Sequence, residues 1–128
     1  MPVKSSKKIL LVDDEKDLLE VYGMRLEING FNVIYAKDGE DALKKIREVR
    51  PDLVLLDLMM PKIDGFEVCQ IIKFDDELKN IPVVIISALH QPSERERAIE
   101  AGSDAYFIKP IDMNLLIMKV KSLIGEPD

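Results

Sequence analysis

Cysteine is almost absent from this chain: Cys69 is the only one in 128 residues. A single thiol excludes an internal disulfide. With no histidine or second cysteine near it, Cys69 also makes a poor metal site. A small buried side chain on a helix is its expected role. Histidine is equally scarce, and the lone His90 is read as a solvated loop residue. Long apolar runs are missing, and none approaches the length needed to cross a bilayer. The N-terminal stretch Met1-Pro2-Val3-Lys4-Ser5-Ser6-Lys7-Lys8 is basic, but the run after it is too short and too soon acidic for a signal peptide. No membrane insertion and a cytoplasmic location are therefore expected. An excess of positive charge is lacking too. With 18 Lys and Arg against 24 Asp and Glu, the formal net charge is −6, which argues against general affinity for phosphate backbones and against direct nucleic-acid binding. There is no internal repeat, low-complexity stretch or linker.

What is present suits one domain around one core. Hydrophobic residues make up 47% and charged residues 33%, an ordinary balance for a globular protein. Three continuous apolar runs stand out: Ile9-Leu10-Leu11-Val12, Leu53-Val54-Leu55-Leu56 and Val83-Val84-Ile85-Ile86. Runs apolar on both faces suit central strands of a parallel sheet covered by helices on each side. The weaker runs Phe31 to Ala36 and Ala105 to Ile108 suit strands nearer the edges.

Segments with helical spacing lie between them. Leu18, Leu19, Tyr22 and Leu26 can share one face, with Asn29-Gly30 as a stop. Ala42, Leu43, Ile46 and Val49 repeat the pattern, with Pro51 beyond its end. Asp64 and Glu67 read as a capping box opening a helix through Phe66, Val68, Ile71 and Ile72. Ser93 and Glu96 read the same way before a fourth helix stopped by Gly102. Asp112 is expected to cap a last helix carrying Leu115, Leu116, Val120 and Leu123, stopped by Gly125. The fourth helix has only Ala98, Ile99 and Ala101 as apolar side chains, so it should be weakly held. It is either a plain exposed helix or a movable element. Five strands alternating with five helices imply right-handed crossovers and a doubly wound α/β sandwich. The loosely held ends are expected to leave an ordered core of about residues 7–125.

In open parallel sheets, chemistry gathers beyond the carboxyl ends of the strands, where the strand order switches. Here the first run stops at Asp13-Asp14, the third at Asp57, the fourth at Ser87 and the fifth at Lys109. A strand order of 2-1-3-4-5 would bring these ends together. Three carboxylates so placed raise one another's pKa unless a cation intervenes. Hard oxygen ligands suit Mg²⁺, which accepts one or two carboxylates directly and keeps several waters. Separately, Asp13 and Asp14 could be helix N-caps, Lys109 a surface lysine, Ser87 a strand-end hydroxyl and Tyr106 a half-buried sheet residue.

These residues resemble the receiver domains of response regulators in two-component signalling. Asp13-Asp14 is similar to the family's acidic pair, and Asp57-Leu58-Met59-Met60-Pro61-Lys62-Ile63-Asp64-Gly65 to its phosphoacceptor loop. Ser87-Ala88 is similar to its hydroxyl position, Lys109-Pro110 to its Lys-Pro pair, and Tyr106 to its aromatic switch residue. The likeness spans about residues 7 to 125 and implies a flavodoxin-like fold with sheet order 2-1-3-4-5. It implies that Asp57 accepts a phosphoryl group from a sensor histidine kinase, a phosphotransfer protein or a small phosphodonor such as acetyl phosphate. Mg²⁺ would be held by Asp14, Asp57 and the Met59 backbone carbonyl, and by Asp13 through water. Lys109 would pair with Asp57 and then with the phosphoryl oxygens. Ser87 and Tyr106 would carry the change to the surface of the fourth helix, fifth strand and fifth helix. A cis bond is expected between Lys109 and Pro110. Met59 and Leu89, at the positions that tune attack by water in this family, are both apolar and imply slow self-dephosphorylation.

The chain would then be a switch acting on its own phosphorylation rather than an enzyme turning over a substrate. A haloacid-dehalogenase-like hydrolase would want an Asp where Met59 stands. A flavin carrier would want a hydroxyl- and Gly-rich loop where Asp13 and Asp14 stand. A pseudo-receiver, binding partners without phosphorylation, is the alternative left open. The downstream partner is either a separate protein or an effector domain lost from the chain, and a phosphorylation-dependent homodimer stays open.

Overall fold

The apolar runs become a parallel sheet because each can be buried on both faces. In the computed structural model, which describes residues 7–58, 60, 63–88 and 92–126, the elements alternate strictly. They run β1 Lys8–Val12, α1 Lys16–Ile28, β2 Asn32–Ala36, α2 Gly39–Val49, β3 Leu53–Asp57, α3 Gly65–Lys73, β4 Val83–Ser87, α4 Pro92–Glu100, β5 Ala105–Ile108 and α5 Met113–Ile124. The sheet order is β2-β1-β3-β4-β5 with every pairing parallel, the order that the family resemblance implied. The three continuous runs are the interior strands, and the two weaker runs are the edges.

The period-two alternation of a strand splits the core into two layers. Leu10, Val12, Val54, Leu56, Val83 and Ile85 face one side, where α2, α3 and α4 supply Ile46, Val68, Ile72 and Ala98. Ile9, Leu11, Leu53, Leu55, Val84 and Ile86 face the other, against Leu26 of α1 and Leu116 and Val120 of α5. β3 is buried along its whole length. Its last residue is an aspartate, so the sheet delivers a carboxylate to the middle of its own C-terminal edge.

Most helix boundaries lie where the local chemistry places them. Asp64 accepts the Glu67 N–H at 3.0 Å, and Asp112 accepts those of Asn114 and Leu115 at 3.0 and 3.3 Å. The stops Gly30, Gly102 and Gly125 take φ of 94°, 89° and 87°, a region open chiefly to glycine. Three expectations are corrected. Ser93 lies inside α4, which opens on Pro92, a residue suited to a first helical turn because it has no N–H to leave unpaired. Ile71 and Leu115 are exposed, at 38% and 55%. Each helical residue turns about 100°, which swings them off the stripes formed by Val68, Cys69 and Ile72 and by Leu116, Ile117 and Val120.

Candidate functional site

Asp57 ends the central strand and is 4% exposed. Asp13 follows β1, with its amide donating to the Ala36 carbonyl at 3.2 Å. Its Oδ1 accepts the Glu15 N–H at 2.9 Å, and this local bond holds a buried carboxylate while the chain turns into α1. Asp14, the next residue, is exposed. The N-cap of α1 is Glu15, with no side-chain cap bond, so neither aspartate caps that helix. One carboxylate oxygen from each of Asp13, Asp14 and Asp57 lies within 4.8 Å of the others.

Lys109 reaches this cluster from the end of β5. Its amide donates to the Ser87 carbonyl at 2.7 Å, and the Lys109–Pro110 peptide is cis. Nζ stands 3.3 Å from Asp57 Oδ1 and 3.4 Å from Asp13 Oδ2. One ammonium therefore serves two buried carboxylates. Burial pushes the Asp57 carboxyl up to about 6, and the Asp13 charge adds to that while Lys109 opposes it. Burial likewise raises Asp13, against the pull of the Glu15 N–H and Lys109. Burial by itself would lower Lys109, but Asp57 and Asp13 together outweigh it and raise its pKa. The pocket is thus short of positive charge. Three hard oxygen donors at this separation, two of them buried, fit a small divalent cation.

Gly65, the first residue of α3, packs close against the strand end. The Gly65 amide donates to the Leu58 carbonyl at 3.1 Å. A Cβ on Gly65 would lie 2.8 Å from both the Asp57 carbonyl oxygen and Leu58 Cα. The glycine is needed for that approach, because a side chain there would push the aspartate's own backbone aside.

Ser87 ends β4 and is fully buried. Its Oγ lies 3.5 Å from Glu94 Oε1 on α4. The half-buried Tyr106 of β5 donates its hydroxyl to the same oxygen at 3.2 Å, with Arg95 placed over its ring at 6.0 Å. The sequence pointed to Ser87 and Tyr106 but missed Glu94, one acid in a charged stretch whose side-chain direction only the fold reveals. Met59 and Leu89, expected to tune water attack, lie outside the described residues, as do the Met59 carbonyl expected to bind metal and His90. Cys69 is buried, and burial pushes its thiol up to about 11, consistent with an inert core side chain.

Residues 9–121 match the family model of the response regulator receiver domain. The chain is 35% identical over 120 residues to the polar-differentiation response regulator DivK of Brucella anthropi, covering 94% of this chain and 98% of that protein. It is 35% identical over 121 residues to the DNA-binding dual master transcriptional regulator RpaA of a Synechocystis strain, covering 94% of this chain and 50% of that one. The chain spans about half the length of several curated relatives that it matches. Among solved structures, the signal receiver domain of a signal transduction histidine kinase from Syntrophus aciditrophicus superposes with a TM-score of 0.88 at 31% identity, covering 94% of this chain and 91% of that chain. The fold and site define a doubly wound receiver, and the chain belongs to the response regulator receiver domain family of two-component signalling.

Proposed function

We propose that residues 1–128 form a single receiver domain, with an ordered core of about 7–125, that takes a phosphoryl group on Asp57 and changes its α4-β5-α5 surface in response. The observation that carries this reading is the placement of Asp57. It is a buried carboxylate at the end of the central strand, 3.3 Å from Lys109 and clustered with Asp13 and Asp14. An Asp57 oxygen attacks phosphorus, and a new O–P bond forms. The bond to the donor's imidazole nitrogen or acetate oxygen breaks, and its electron pair leaves with the donor. Phosphoryl transfer of this kind is chiefly positioning and charge neutralisation. Lys109 is already held beside the nucleophile and would pair with the phosphoryl oxygens. The Ser87 hydroxyl would donate to the new group.

Asp14 and Asp57 would hold Mg²⁺ with the Met59 carbonyl, and Asp13 would do so through water. When bound, the ion supplies the positive charge that Lys109 alone does not. The phosphodonor is a sensor histidine kinase, a phosphotransfer protein or a small acyl phosphate. The output is a protein target or an effector domain on a longer chain, the latter in keeping with relatives twice this length. The switch would work in the cytoplasm; no helix among the described residues is long and apolar enough to span a membrane. Neither Met59 nor Leu89 can orient a water molecule, so the phosphorylated state is slow to hydrolyse itself. Met59→Asn with Leu89→Glu should shorten its lifetime, and an unchanged lifetime would remove that part of the reading.

Intact-protein mass after incubation with acetyl phosphate tests the core of the proposal. A single phosphoryl adduct is expected that forms with Mg²⁺, fails with EDTA and is absent in Asp57→Asn. An adduct that persists in the variant would mean another residue is the acceptor. No adduct from either acetyl phosphate or a phosphorylated kinase would favour the pseudo-receiver.

A further inference from the structure

Within its span α4 buries one side chain, Ala98, so apolar packing holds it only weakly. Its polar contacts reach the site instead. Glu94, in the first turn, offers a single oxygen to two hydroxyls, that of Tyr106 at 3.2 Å and, more distantly, that of Ser87 at 3.5 Å. Ser87 follows Ile86, the residue paired with Asp57 across β3 and β4. Glu94 therefore joins the strand end beside Asp57 to the helix least anchored in the core. One turn further on, Arg97 lies 4.0 Å over the ring of Phe66 at the start of α3, a second contact made by charge rather than burial.

We propose that Glu94 is a positioning residue that latches α4 to Ser87 and Tyr106 in the unphosphorylated protein and releases it when Asp57 is phosphorylated. The inference deepens, and rests on, the reading of Asp57 as phosphoacceptor. A hydroxyl has one proton to donate. If the Ser87 proton goes to a phosphoryl oxygen, Glu94 loses that donor. The phosphoryl group also brings roughly one and a half to two negative charges, and these repel a carboxylate on the far side of the same serine. Both effects push Glu94 outward. Little buried area on α4 opposes the movement, so the helix can take a second position. The same repulsion acts in reverse on an incoming phosphodonor, and the latch therefore slows phosphorylation.

Glu94→Gln keeps the shape and the acceptor oxygen but removes the charge. Glu96→Gln removes the same charge from an exposed position on the same helix and serves as the control. Two readouts are compared on the full chain: the initial rate of adduct formation with acetyl phosphate and Mg²⁺, and hydrogen exchange of the α4 amides. Glu94→Gln should be phosphorylated roughly three- to tenfold faster than wild type, the size expected for one charge removed near the site, with Glu96→Gln close to wild type. Before phosphorylation, its α4 amides should already exchange about as fast as those of the phosphorylated wild type. Matching behaviour of the two variants in both readouts would overturn the latch. If the wild type takes no adduct from acetyl phosphate or from a phosphorylated kinase, the phosphoacceptor reading fails by itself. In that case α4 exchange in unmodified Glu94→Gln decides whether the carboxylate holds the helix: faster exchange supports the latch, and unchanged exchange overturns it.

Discussion

Helices α3 and α4 are both nine residues long and follow neighbouring strands of one sheet, yet they are held by different forces. α3 is capped by Asp64 and buries Phe66, Val68, Cys69 and Ile72. α4 buries Ala98, leaves Ile99 69% exposed, and relies on Glu94 and Arg97 for its reach across the surface. Burial is non-directional and permanent while the fold lasts. A carboxylate shared by two hydroxyls depends on charge and can be cancelled by another charge. A fold can thus build one wall of a site from burial and another from contacts that a change of charge would loosen.

The largest expected effect separates the two helices by cavity formation. Ile72→Ala should lower unfolding free energy by about 2–5 kcal/mol, as for other large-to-small changes in a packed core. Ile99→Ala should stay within about 0.5 kcal/mol of wild type, as exposed positions do. Urea denaturation monitored by circular dichroism checks both. Similar losses for the two would mean that α4 is packed as firmly as α3.

The next effect concerns the strand end from which the α3 loop departs. The Asp57 carboxyl is raised to about 6 from an ordinary value near 3.9, so ionising it is harder in the folded chain than in the unfolded one. The stability it contributes is present in full below about pH 4 and is lost as pH rises through about 6. Without Mg²⁺ at pH 7.5, Asp57→Asn should therefore be more stable than wild type, by up to about 3 kcal/mol. The difference should vanish towards pH 4 and shrink when Mg²⁺ is added. Thermal unfolding across that pH range reads it directly. No gain at pH 7.5 would refute the view that burial strains this carboxylate.

Smaller effects probe the directional contacts. Asp64→Ala removes the α3 cap and should lose about 1 kcal/mol. Arg97→Ala should lose roughly 0.5–1 kcal/mol, the range for an exposed cation over an aromatic ring, and should speed amide exchange in α4 without affecting α3. Exchange that rose equally in both helices would mean they open as one unit, and the contrast between them would fall.

Much of this was legible in the residues. Val83 to Ile86 reads as a central strand because no other environment buries four consecutive apolar side chains so simply, and Ser87 after it reads as a strand end for the same reason. Asp13, Asp57 and Lys109 could be assigned to one cleft once the family resemblance supplied the strand order. The errors fell where a pattern admits two answers. Ser93 carries the signature of a cap, but Pro92 already opens the helix. Leu115 is as apolar as Leu116, yet one residue of helical rotation puts it in solvent.

By itself, then, the sequence determined the alternation of strands and helices, the interior and edge positions in the sheet, and the polar residues at the strand ends. Those are consequences of local hydrophobic period and of burial, which are written along the chain. The tertiary structure alone decided that one Lys109 ammonium is shared by Asp13 and Asp57, that Gly65 closes against the Asp57 backbone, and that Glu94 rather than Glu96 faces Ser87 and Tyr106. Each of these depends on which side chains residues far apart in sequence turn towards one another, and local periodicity does not encode that.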